Sequence, residues 1–71
     1  MPIETMLIVL DNKASNDDIS RIISIIKKNN GKIEAKLNNG YTFLVNIDNI
    51  LIEKLRKQPK VNHVGGVTIN R

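Results

Sequence analysis

The sequence predicts an α+β fold in which two helices cover one face of a four-stranded antiparallel sheet. Three observations carry this expectation. Met6-Leu7-Ile8-Val9-Leu10 is an unbroken apolar run, too short for a buried helix. Residues 16–29 and 49–57 place apolar side chains at helical spacing. Two runs, 32–37 and 41–47, alternate apolar and polar residues on either side of Asn38-Asn39-Gly40, the pattern of a hairpin.

Each element has a local reason. Residues 1–5 read as a lead-in and 6–10 as the first strand. Strand side chains alternate between faces, so an all-apolar strand must have both faces tolerant of cover. Helices on one side leave the other face to be accounted for. Asp11-Asn12-Lys13-Ala14 is a polar connection. Ser15 suits a helix N-cap, with Asp17 and Asp18 at the positive end of the helix dipole. Ile19, Ile22, Ile23 and Ile26 then form a stripe that Ile25 widens, while Lys27 and Lys28 occupy the last turn. Gly31 is the expected left-handed cap.

In the second strand Ile33, Ala35 and Leu37 point one way and Lys32, Glu34 and Lys36 the other. The Asn-Gly pair favours a tight turn, because both residues tolerate positive φ. In the third strand Tyr41, Phe43, Val45 and Ile47 share one face and Thr42, Leu44 and Asn46 the other. Asp48 caps the second helix. Ile52 and Leu55, with Ile50 or Leu51, supply its buried side, and Pro59 ends it. Lys60 to Val64 is the fourth strand, which Gly65-Gly66 interrupts. Residues 65–71 then form an extended tail or continue that strand.

The order β-α-β-β-α-β, with right-handed crossovers, is the ferredoxin-like split arrangement, strand order 4-1-3-2. All of residues 1–71 belong to this one domain. Strands one and three are central, which suits the apolar run.

Composition narrows the function. A 71-residue chain buries only about 60% of its unfolded surface. It has no cysteine, which excludes disulfides and thiolate metal sites. His63 is the only histidine, so no metal or other cofactor is expected. The net charge of +4 is modestly basic and leaves nucleic acid open as a partner. No basic segment followed by a long apolar run begins the chain, so no signal peptide is read and a cytoplasmic location is the default. The apolar run at 6–10 is far too short to span a bilayer, so no membrane partner is expected.

Catalytic residues are not expected. Ser15, Ser20 and Ser24 fit a cap and two exposed helix positions. A serine–histidine pair with His63 would need an oriented carboxylate and an oxyanion pocket that the spacing does not suggest. The phosphate-cradling loop of ferredoxin-like acylphosphatases would fall at Asp11–Ala14, which has neither Gly nor Arg. Gly40-Tyr41-Thr42-Phe43-Leu44-Val45 resembles the third-strand motif of the RNA-recognition motif, whose aromatics stack on bases. Against it, Asn39 stands where that motif has a basic residue, and the first strand has no aromatic. Tyr41 and Phe43 are expected to pack under the helices.

A second resemblance covers about residues 6 to 67. Gly40-Tyr41-Thr42-Phe43, Ile47, Ile52-Glu53-Lys54-Leu55-Arg56-Lys57, Pro59 and Val61-Asn62-His63-Val64 together resemble the propeptide domain of subtilisin-type serine proteases, the peptidase inhibitor I9 family. Its free-standing members are protease inhibitors. The resemblance implies a non-enzymatic protein, an inhibitor or folding chaperone whose open sheet face docks on the protease and whose C-terminal tail enters the active-site cleft. The sheet-face candidates are Thr42 and Leu44, with one of the two sets of the first strand beside them; Leu7 and Val9 are the pair assigned to the interface, and Met6, Ile8 and Leu10 are the other set. The tail candidates are Val67, Thr68, Ile69, Asn70 and Arg71. Gly65-Gly66 would let the tail bend away, or form a bulge. The family places acidic residues after the Val-x-x-Val strand, and this chain has Gly65, Gly66 and Val67 there. The alternatives are a nucleic-acid-binding module and a homo-oligomeric interaction protein.

Overall fold

The computed structural model describes residues 3–67, in the order β1 (Ile3–Leu10), α1 (Asn16–Lys28), β2 (Lys32–Leu37), a 3-10 turn (Asn38–Gly40), β3 (Thr42–Asp48), α2 (Ile50–Arg56) and β4 (Val61–Gly66). The sheet runs β2-β3-β1-β4, all neighbours antiparallel, with β1 and β3 central. This is the expected ferredoxin-like βαββαβ arrangement, with the expected strand order read from the other edge.

The core lies between the sheet and the helices. Met6, Ile8 and Leu10 of β1, Phe43, Val45 and Ile47 of β3 and Val64 of β4 are buried against Ile22 and Ile26 of α1 and Leu51 and Leu55 of α2. Ile19 and Ile23 of the same stripe, and Ile25 beside it, are half-buried. In α2 the buried pair is Leu51 and Leu55, one turn apart, with Ile52 beside them, while Ile50 is 71% exposed. Tyr41 packs against the same core from outside β3, and its carbonyl accepts from the Leu10 backbone N–H at 2.7 Å.

The α1 start is a full capping box. Asp18 N–H donates to the Ser15 hydroxyl at 3.2 Å, and Ser15 N–H donates to the Asp18 carboxylate at 2.9 Å. That Ser15 N–H, then the Arg21 guanidinium and the Ser15 hydroxyl, hold the Asp18 pKa below the usual carboxylate range, outweighing desolvation. A lowered folded-state pKa stabilises the fold above the ordinary aspartate pKa. The contribution is lost as pH falls through the lowered value.

Several boundaries differ from the sequence expectation. β1 starts at Ile3 because β3 is long enough to pair with it from Ile3↔Asp48 onward, so residues 3–5 are strand, not lead-in. The left-handed residue after α1 is Asn30, with φ 62°, not Gly31. Asn30 N–H bonds Lys27 O at 3.2 Å and Gly31 N–H bonds Ile26 O at 2.8 Å, closing a Schellman motif. Gly31 serves close approach instead. A Cβ there would lie 2.7 Å from Ile26 Cγ2 and 2.9 Å from Ile47 Cγ2.

The hairpin is not a two-residue turn. Leu37 pairs with Thr42, so Asn38 to Tyr41 form the loop. Asn38, Asn39 and Gly40 take φ of 52°, 58° and 87° in succession. The N-cap position of α2 is Asn49, and Asp48 just before it still holds the helix start, its carboxylate accepting from Ile50 N–H at 3.1 Å. Lys60 is left-handed, φ 67°, in a turn that Val61 N–H closes on Gln58 O, so β4 starts at Val61. Gly65 and Gly66 are neither hinge nor bulge. Both are β4 residues, paired with Leu7 and Met6. The irregularity in that ladder falls between Val9 and Leu10.

Candidate functional site

The buried set of β1 is Met6, Ile8 and Leu10, so Leu7 and Val9 occupy the face that the helices leave open. Register places the predicted sheet-face residues side by side. Leu7 is opposite Leu44, and Val9 is opposite Thr42. Thr42 is 9% exposed although no helix covers it, because strand neighbours enclose it. All four residues are therefore contiguous on the open face.

The patch is wider than the alternation pattern suggested. β2 carries a bulge between Ile33 and Ala35. Before it, Ile33 pairs with Val45 and faces the helices. After it, Ala35 pairs with Leu44 and Leu37 with Thr42, which turns both toward the open face. A bulge inserts one unpaired residue and reverses the facing of the rest of the strand. The open face thus carries two rows across four strands: Ala35, Leu44, Leu7 and Gly65, then Leu37, Thr42, Val9 and His63. No Lys, Arg, Asp or Glu stands in either row. Leu37 is 47% exposed, while Leu7, Val9 and Leu44 are half-buried.

His63 closes one corner. A Cβ on Gly65 would collide with its imidazole, so the ring lies over the glycine and fills the place of a side chain next to Leu7. The other end of the patch is polar. Thr5 Oγ1 donates to Asn46 Oδ1 at 2.7 Å, Asn46 Nδ2 donates to Glu34 Oε1 at 3.0 Å, and Glu34 pairs with Lys32 at 3.4 Å. This hydrogen-bonded row fixes the border of the apolar surface.

The tail candidates divide. Val67 follows β4, its N–H donating to Thr5 O at 3.2 Å and its side chain exposed. Thr68, Ile69, Asn70 and Arg71 lie outside the described residues. Phe43 is wholly buried beneath the helices and Tyr41 packs on the core, so neither ring of the base-stacking motif stands on the open face.

The two sheet edges are finished differently. Arg56 donates to the Val64 carbonyl through Nε at 3.3 Å and Nη2 at 3.0 Å, while its Nη1 meets Glu53 at 2.8 Å. That occupies one carbonyl on the β4 edge. Arg21 similarly bridges Asp18 and the Pro59 carbonyl, with its Nε buried and without a partner. The sequence alone places Arg21 off the apolar stripe of α1 and Arg56 at the C-terminal end of α2. Their tertiary partners depend on loop geometry that no local pattern encodes.

No family model matches the chain, and no curated protein matches it. Among solved structures it is similar to the crystal structure of phospho-2-dehydro-3-deoxyheptonate aldolase (DAHP synthase) from Thermotoga maritima, with TM-score 0.75 and 18% identity over 94% of this chain. The chain spans 21% of that enzyme's length. At this identity the likeness concerns the fold. No helix among the described residues is long and apolar enough to cross a membrane.

Proposed function

We propose that this domain is a propeptide-like binder of a subtilisin-type serine protease, a free-standing inhibitor or folding chaperone that docks by its open sheet face and inserts its C-terminal tail in the cleft. The observation that carries the reading is the uncharged patch of Leu7, Val9, Thr42 and Leu44 on the uncovered face, bounded by a polar row. An apolar surface rimmed by polar groups marks an interface.

Size argues for a second contact. Four strands about 4.8 Å apart and roughly seven residues long present a flat footprint on the order of 440 Å². A stable interface takes about 800 Å² per partner. The sheet face alone falls short, and the tail supplies the remainder by adding main-chain hydrogen bonds to the cleft. Gly65, Gly66 and Val67 bring no acidic group to the junction, so docking rests on apolar contact.

Inhibition kinetics against a panel of subtilisin-type proteases test this. The full chain inhibits at least one at micromolar concentration. Deletion after Val67 keeps β4 whole and weakens inhibition by about tenfold or more, the expected cost of losing one of two linked contacts. No inhibition by the folded full chain at micromolar concentration discards the reading.

A further inference from the structure

We propose that the groove between α1 and the edge strand β2 takes an extended acidic peptide segment, which joins the sheet as a fifth strand. The site lies outside the open-face patch and does not depend on the protease reading. The groove holds about 470 Å³ and follows Gly31 to Lys36 along the strand, with Ile23 and Lys27 of α1 as its far wall. A helix lying beside an uncapped sheet edge is the geometry in which peptides bind by strand addition.

Three features select the occupant. β2 is an edge strand, so half of its backbone donors and acceptors point away from β3. Among the described residues, no side chain hydrogen-bonds to the backbone of Lys32–Leu37, whereas Arg56 covers the opposite edge at Val64. Ile23 and Ile33 are half-buried and give the groove an apolar floor. Lys27 and Lys36 border it and make no ion pair among the described residues, whereas Lys32, also on the groove's lining strand, is paired with Glu34. The one acid in the lining, Glu34, is engaged with Lys32 and Asn46 on the other face of the sheet.

The charge also decides against self-pairing. A second copy would bring the same lysines and another +4 to the edge. Like charges directly opposite across a strand pair destabilise it. Lysines and a bulge on an edge strand discourage pairing with a chain of the same charge, and an acidic strand turns that repulsion into attraction. A segment with acids at every second position sets them against Lys27 and Lys36 and leaves the residues between for the open side.

The test uses the full chain and an acetylated, amidated octapeptide of alternating glutamate and valine, titrated by amide NMR. Backbone amides of residues 32–37 shift and gain protection from exchange. The double variant Lys27→Glu/Lys36→Glu, checked for folding by circular dichroism, binds about tenfold or more weakly, as expected for reversed charge at a contact. A peptide of the same charge with alternate backbone N-methyl groups does not bind. The proposal is overturned if the peptide fails to bind at millimolar concentration, if the N-methylated peptide binds equally, if the shifts centre on Leu7 and Leu44, or if the free protein is a dimer paired through β2.

Discussion

The two faces of this sheet are built from the same strands by opposite rules. On the helix side, Ile8, Phe43, Val45 and Ile47 are fully buried and interlock with α1 and α2. On the open side, Leu7, Val9 and Leu44 are half-buried by strand neighbours alone. An apolar residue on the first face holds the fold together. One on the second contributes little to folding and is free to be chosen for a partner. The difference teaches that strand hydrophobicity alone does not measure a residue's role in stability: the cover above it decides.

The comparison can be broken most directly at Phe43. Phe43→Ala removes the largest fully buried side chain and should cost about 3–5 kcal/mol in urea unfolding, a large part of a small domain's stability. A loss below about 1 kcal/mol would mean that the helix side is not the core. Next comes Gly31→Ala, where the new methyl meets Ile26 O and Ile47 Cγ2, both at 2.9 Å. Overpacking there should cost about 1–3 kcal/mol. A neutral result would show that α1 can move off the sheet. The smallest effect is expected at Leu44→Thr, about 1 kcal/mol or less in the same assay, because only part of the side chain leaves water on folding. If the proposed function holds, the same substitution should also weaken inhibition in the protease panel. A cost as large as that of Phe43→Ala would erase the distinction between the faces.

Much of this was legible in the sequence, for identifiable reasons. Ser15 with Asp18, the isoleucine stripe and Asp48 before the second helix are local signals, and the structure has each where the pattern put it. The strand order followed from element order and crossover handedness. What escaped was set between strands. Nothing in Lys32-Ile33-Glu34-Ala35-Lys36-Leu37 announces a bulge, because strict alternation fits a regular strand equally well. The bulge appears only against β3, and it moves Ala35 and Leu37 into the candidate site. The extra length of β1 and β4 has the same origin, since Thr5 and Gly65 are strand residues by virtue of their partners. Leu7 and Val9 were half legible. Alternation defined the two sets, and the burial of Met6, Ile8 and Leu10 chose between them.

Arg56 gives the molecule a polarity in the sense used for growing polymers. Its guanidinium caps the Val64 carbonyl on one edge, while the opposite edge stays open. Head-to-tail stacking of copies needs both ends of each sheet to be available. With the Val64 carbonyl occupied, a strand adding to the β4 edge must first displace Arg56. The two edges are therefore unequal starting points for strand addition.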